Sequence, residues 1–187
     1  MDPFRPKAVV SNTGPLISAL QSGCMPILYQ FYDQIHIPRS ELTEYDKHGA
    51  GQEIRALMDA GLLVVNQITA SEEEAAKAIA KEIADYHTTR DKDPAHHLPE
   101  SESIVLILRR DLGAIELLID ELAARDAAQR RGVQIIGFPG ILIRACQQGM
   151  MEPEDVLSAL EECKKQGTHY SPKLINEVYG KLKRPSK

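Results

Sequence analysis

Residues 8–17 read Ala-Val-Val-Ser-Asn-Thr-Gly-Pro-Leu-Ile, AVVSNTGPLI. A short apolar run stops at three small polar residues and resumes behind Gly14-Pro15. Residues 7–10 are too short for a helix and lie between Pro6 and a turn, so they read as a buried strand. Leu16, Ile17, Ala19 and Leu20 then recur at helical spacing until Gly23. A strand that passes to a helix through Ser11-Asn12-Thr13 places side-chain oxygens and an amide at the strand's carboxyl end.

The same handover repeats outward along the chain. Pro26 opens a helical piece, Ile27 to Tyr32, and Gln34–Ile37 alternates as a strand before Pro38. Ser40 is the expected N-cap of a helix through Leu42 and Tyr45. A helix over Gln52–Ala60 precedes a strand at Leu62–Val65. Ser71 and Glu74 form a candidate capping box for a helix to about Tyr86. Residues 88–100, TTRDKDPAHHLPE, are expected to be a long loop. A helix over Ser101–Arg110, a strand over Ile115–Ile119 and a helix over Leu122–Arg131 follow. A strand at Val133–Ile136 then turns through Gly137–Gly140 into a helix, Ile141–Gln148. Two tail helices are expected at Pro153–Lys165 and Pro172–Lys183. This alternation predicts an α/β fold, a mostly parallel sheet with helices on both faces. Ligands of such sheets sit beyond the carboxyl ends of the strands.

The composition fits one packed domain. Of 187 residues 43% are apolar but only 5% aromatic, so the core must be aliphatic. A net charge of -5 argues against binding nucleic acid through a broad basic surface. It is compatible with a nuclease, whose pocket must be acidic. Cys24, Cys146 and Cys163 are widely spaced and read as reduced thiols of a cytosolic protein. The chain holds no apolar run of about 18 residues, so no membrane span is expected. MDPFRPK has no apolar core of a signal peptide.

Acidic and amide side chains gather at the strand ends. Asn12 follows the first strand, Glu41 and Glu44 the second, and Asp120 and Glu121 the strand at 115–119, while Glu100 and Glu102 open the helix after the long loop. Converging carboxylates repel unless a cation joins them, and hard oxygen donors suit Mg²⁺ or Mn²⁺. Plainer roles compete. Asn12 and Thr13 suit a helix N-cap, Asp120 can cap the next helix, and Glu41, Glu100 and Glu72–Glu74 read as solvated charges. His87, His96 and His97 match no metal-ligand spacing and read as a solvated loop. Arg109, Arg110, Arg130 and Arg131 read as surface charge, whereas Arg125 is near enough to Asp120 to meet a phosphate or a carboxylate. Nucleotide-loop, nucleophile-elbow and zincin motifs are absent from the sequence.

The motifs VVSNTGPLISALQSG, IHIPRSELTEY, PESESIVLIL, ELLIDELAAR and GVQIIGFPGILIRACQQGMM occur in that order. Together they resemble a PIN domain, more narrowly the prokaryotic subgroup related to VapC-type toxin nucleases. The resemblance runs over roughly residues 7–150 and implies an α/β/α sandwich there, residues 1–150 as a whole, with residues 151–187 a helical extension on the same domain. It implies a Mg²⁺- or Mn²⁺-dependent endoribonuclease, the toxin of a toxin–antitoxin pair, acting in the cytoplasm as a homodimer. Carried over by position, the metal-site residues are Asn12, Glu44, Glu102 and Asp120, with Glu121 beside the last and Thr13 supporting the first. Glu44, Glu102 and Asp120 then carry the catalytic charge. Two positions depart from the family's usual pattern, Asn12 in place of Asp and Glu102 in place of Asp. An alternative follows from Asn12: a catalytically weakened PIN scaffold that binds RNA or a protein. A receiver-like signalling domain ranks last, because residues 11–13 and 137–140 supply neither its acidic pair nor its lysine.

Overall fold

A computed structural model describes residues 7–182. The leader reading of MDPFRPK and the expected end of the last helix at Lys183 therefore lie outside the described residues. Five strands, β1 (Ala8–Ser11), β2 (Gln34–Pro38), β3 (Leu63–Asn66), β4 (Ala114–Leu118) and β5 (Ile135–Ile136), form one sheet in the order β3-β2-β1-β4-β5. Every pairing is parallel, more uniform than the mostly parallel sheet expected. Ten helices lie between and after the strands among the described residues: α1 (Thr13–Gln21), α2 (Met25–Phe31), α3 (Leu42–Lys47), α4 (Gly51–Asp59), α5 (Ala70–Asp85), α6 (Leu98–Ile107), α7 (Leu122–Arg130), α8 (Phe138–Gln147), α9 (Pro153–Lys165) and α10 (Pro172–Leu182). None is long and apolar enough to cross a membrane.

The two-residue period of the strands divides the core. Val9, Ile35, Ile37 and Leu118 point to one face, where they meet Leu16 of α1, Leu28 of α2 and Leu142 of α8. Val10, Leu117 and Ile119 point to the other, against Ile79 and Ile83 of α5, Ile104 of α6 and Ala124 of α7. The tail helices join the first face through Val156, Leu160, Cys163 and Val178. Cys24 and Cys163 are buried packing residues, while Cys146 is partly exposed.

Several boundaries differ from expectation for local reasons. Ser40 caps nothing; it sits inside a single 3-10 turn, Arg39–Glu41, that Pro38 initiates. The capping box of α5 is Thr69 with Glu72 rather than Ser71 with Glu74. The Thr69 N–H donates to Glu72 Oε2 at 2.8 Å, and the Glu72 N–H donates back to Thr69 Oγ1. The loop after α5 is shorter than expected, because a 3-10 turn at Pro94–His97 leads into α6 at Leu98. Pro99 marks a helix start there, not a loop. β5 keeps only two residues of the four expected, and α8 begins at Phe138, directly after Gly137.

Two ion pairs fasten the layers. Arg109 donates to both Glu72 oxygens, at 2.6 and 2.5 Å, and to the Gln67 carbonyl. This Arg109 fork holds the Glu72 carboxyl down to about 2. The native carboxylate binds protons less tightly than its unfolded form, so the stability it contributes is present above the ordinary value of 4.5. It is lost as pH falls from there toward about 2. Urea midpoints measured over this acid range should therefore fall less steeply in Arg109→Met than in the wild type. Equal slopes would show that the pair contributes nothing to acid stability. The second pair joins Glu116 of β4 to Arg144 of α8 at 2.6 and 2.9 Å, with the Tyr32 hydroxyl donating to Glu116 Oε1 at 2.6 Å. The Arg144 guanidinium also lies 5.6 Å over the Phe31 ring.

Candidate active site

The strand order creates the site. From β1 the chain builds outward to β2 and β3, then crosses back to place β4 on the other side of β1. The carboxyl ends of β1 and β4 thus meet at the point where the winding reverses, the usual place for a ligand crevice. The Asn12 N–H donates to the Leu118 carbonyl at 2.9 Å and ties the two ends together. A cleft of about 1560 Å³ opens there, lined by Asn12, Thr13, Glu44, Glu100, Asp120 and Glu121 among others.

Asn12 serves as N-cap and cleft residue at once. Its Oδ1 accepts the Gly14 N–H at 3.3 Å, and its Nδ2 donates to Glu41 Oε1 at 3.4 Å. The cap of α7 is Glu121, whose carboxylate accepts the Ala124 N–H at 2.5 Å; Asp120, the residue expected there, does something else. Asp120 Oδ1 accepts the Phe138 N–H at 3.0 Å and so satisfies the first turn of α8. Burial raises the Asp120 carboxyl from 3.8 to about 6, against the Phe138 N–H and the Arg125 charge, which both pull it down. Arg125 itself donates to the Ile119 carbonyl at 2.8 Å.

Glu41 and Glu100 correct the expectation that both are solvated. Glu41 has no exposed surface; it lies beneath Asn12 and accepts the Ser103 hydroxyl at 2.6 Å. Glu100 Oε2 is buried with no hydrogen-bond partner among the described residues, while the hydroxyls of Thr13 and Tyr45 are buried beside Glu41, and Thr13 favours the charged form of Glu41. Burial raises the pKa of both carboxyls, and the acids repel one another. Glu100 pushes Glu41 up, while Glu121 and Glu44 push Glu100 up. Glu44 stands on the rim, paired with Lys47. Glu102 is not among the residues lining the cleft; it accepts the Ser40 hydroxyl instead. Of the expected site residues, the fold therefore gathers Asn12, Thr13, Glu44, Asp120 and Glu121 around one cleft and leaves Glu102 outside.

Gly137 keeps Asp120 in place. A Cβ on Gly137 would lie 2.4 Å from Asp120 Oδ1 and 3.0 Å from Arg125 Nη1. Only hydrogen fits between α8 and the carboxylate.

A family model described as a PIN domain matches residues 8–184. The chain belongs to the PIN-domain family. No curated protein and no solved structure matches it. In this PIN domain the match takes in α9 and α10, the tail helices that follow the ordered motifs.

PIN domains generally use a divalent metal. The donors of this cleft suit one chemically. They are oxygens of carboxylates, an amide and a hydroxyl, the set preferred by Mg²⁺ and Mn²⁺. One of those carboxylates, Glu100, has a buried oxygen with no partner among the described residues. Among the described residues, however, no three acidic, His or Cys side chains come within ligating reach of one point.

Proposed function

We propose that this PIN domain is a Mg²⁺- or Mn²⁺-dependent endoribonuclease. One observation carries the proposal: Glu41 is fully buried and Glu100 buries a carboxylate oxygen without a partner, within a group of mutually repelling acids. Such a group is costly unless a cation compensates it. Asn12, Glu41, Glu100 and Asp120 would hold the ion only by drawing together around it, since no three acids among the described residues now reach one point, with Glu44 and Glu121 at its margin and Thr13 beside Asn12. Glu100 takes the place that the motif resemblance gives to Glu102. When bound, the ion supplies an activated water and neutralises charge on the phosphodiester. The protein's own part is positional. The Phe138 N–H fixes the Asp120 carboxylate, Ser103 and Asn12 fix Glu41, and the Ala124 N–H fixes Glu121.

The test is cleavage of a mixed RNA pool in Mn²⁺, Mg²⁺ or EDTA, beside Asp120→Asn and Glu41→Gln. The expected result is metal-dependent cleavage that falls by at least ~100-fold in either variant. Cleavage that persists in EDTA or in both variants would remove these residues from the chemistry. Because Asp120 must be ionised to hold a cation, protons compete with the metal there, and cleavage at limiting metal should decline as pH drops through about 6. For folding the sign is opposite. Asp120 binds its proton more tightly when folded, so it costs stability as pH rises from 3.8 to about 6. Asp120→Asn should accordingly raise the melting temperature at neutral pH while it abolishes cleavage.

A second reading rests on Asn12. Both ends of its amide are already committed, Oδ1 to Gly14 and Nδ2 to Glu41, and the group carries no charge. A weakened PIN scaffold that binds RNA or a protein would have such a residue. Asn12→Asp should raise Mn²⁺ affinity and cleavage by about tenfold if the site is catalytic. No gain in either would favour the binding module. The motif resemblance to VapC-type nucleases supports a further proposal, that the chain is the cytoplasmic toxin of an antitoxin pair and dimerises.

A further inference from the structure

The segment between α5 and α6 is polar, holds a proline and buries little, yet it is fastened throughout. Lys92 Nζ donates to the carbonyls of Ala84 and Tyr86 at 3.0 and 2.9 Å. The Asp93 N–H donates to Asp91 Oδ1 at 3.0 Å, and the Ala95 N–H donates to Asp93 Oδ1 at 2.9 Å. The buried His97 ring bonds through Nε2 to the Asp91 carbonyl at 3.0 Å. Ordering such a segment costs backbone entropy that its small apolar contact does not return, so its fixed shape calls for another use.

That shape carries His96 to the cleft. Ala95 and His96 line the same wall as Pro99 and Glu100. Asp91 Oδ2 holds His96 Nδ1 at 2.7 Å, and the Asp91 charge favours the imidazolium. Nε2 is 3.9 Å from Asp93 Oδ2, an ion-pair rather than a hydrogen-bond distance, and the Asp93 charge also favours the imidazolium; the side chain is 65% exposed. A carboxylate thus orients the ring by one nitrogen and leaves the other N–H to donate outward. The need for such a donor is electrostatic. The acids of the cleft repel a polyanion, Lys47 on the rim is paired with Glu44 and Arg125 is bound to the Ile119 carbonyl, so His96 joins Lys181, His48 and His169 as the other basic groups of the lining.

We propose that His96, oriented by Asp91, donates from Nε2 to a backbone phosphate of the RNA at the edge of the cleft. The proposal rests on the ribonuclease reading above. His96 is a substrate-contacting residue in it, and Asp91 a positioning residue.

Binding of a labelled single-stranded RNA oligonucleotide, followed by fluorescence anisotropy, tests it. The full chain carries Asp120→Asn throughout, so that no strand is cut. Adding His96→Gln should raise Kd by about five- to tenfold at low salt, and His96→Lys should restore it to within about twofold. The slope of log Kd against log salt should fall by about 0.7 in His96→Gln, the value for one lost phosphate contact on a single strand. Asp91→Asn should weaken binding by a smaller factor with the same direction of change in slope. A merely structural His96 would not alter that slope. Unchanged Kd and slope in His96→Gln overturn the proposal and leave metal-dependent cleavage by the wild type as separate support for the nuclease. RNA that neither binds the Asp120→Asn chain nor is cut by the wild type overturns both.

Discussion

Gly137→Ala is expected to lower RNA cleavage by ~10- to 100-fold and to destabilise the fold by about 1–3 kcal/mol. The added methyl would lie 2.4 Å from Asp120 Oδ1, a separation that Cβ atoms do not tolerate. Two relaxations are open, and both harm the site. Asp120 can turn away and release the Phe138 N–H, or α8 can withdraw and open the seam between β4 and β5. Arg125 blocks escape on the other side, 3.0 Å from the same methyl. Gly14→Ala is the control. It sits in α1 at the same cleft, but its Cβ would meet only Asn12 Oδ1, at an ordinary 3.8 Å. That variant should keep activity, and the helix propensity of Ala works in its favour. Wild-type cleavage by Gly137→Ala would mean that activity does not depend on where Asp120 is held.

The second large effect is on stability. Arg144→Met should cost about 3 kcal/mol in urea unfolding, the lower end for a broken buried pair, because Arg144 is one-third exposed while the Glu116 side chain is 8% exposed. The loss is mainly the charge left behind. Arg144 and Tyr32 together hold the Glu116 carboxyl below its ordinary value despite burial, and the Tyr32 hydroxyl alone replaces little of that. Adding Glu116→Gln to Arg144→Met should therefore recover at least half of the lost stability, since a neutral amide can keep the Tyr32 bond. Simple additivity of the two substitutions would show that the charges are not coupled.

Periodicity and turn residues were enough to locate all five strands, because each strand is a short apolar run between Gly, Pro or small polar residues. The helix starts were harder. Pro99 followed a stretch rich in His and Asp and looked like loop punctuation, yet a proline in the first turn is also a helix signal, and α6 begins at Leu98. Glu102 comes from the motif resemblance, whereas the helix that starts at Leu98 puts Glu100 in the cleft lining. On a helix, two positions apart is about half a turn, so one carboxylate reaches the cleft and the other reaches Ser40. Glu41 was within reach of sequence reasoning. It stands three residues past β2, nearer the strand end than Glu44, and a tight 3-10 turn carries it inward. Its burial was not legible, since nothing local in RSELTEY shows that Ser103 and Asn12, from two distant segments, close over it.

The position of β1 bears on how the chain is made. Ala8 pairs with Gln34 on one side and with Ala114 on the other, so the central strand precedes both neighbours in the chain and gains the second only after β3. A nascent chain can build β1, β2 and β3 early, but one edge of β1 then waits until β4, Ala114–Leu118, has emerged. Such distant parallel pairing slows folding and leaves an apolar edge, Ala8-Val9-Val10, open to the wrong partners. Conditions that lengthen this wait should send product into aggregates before they affect any finished molecule.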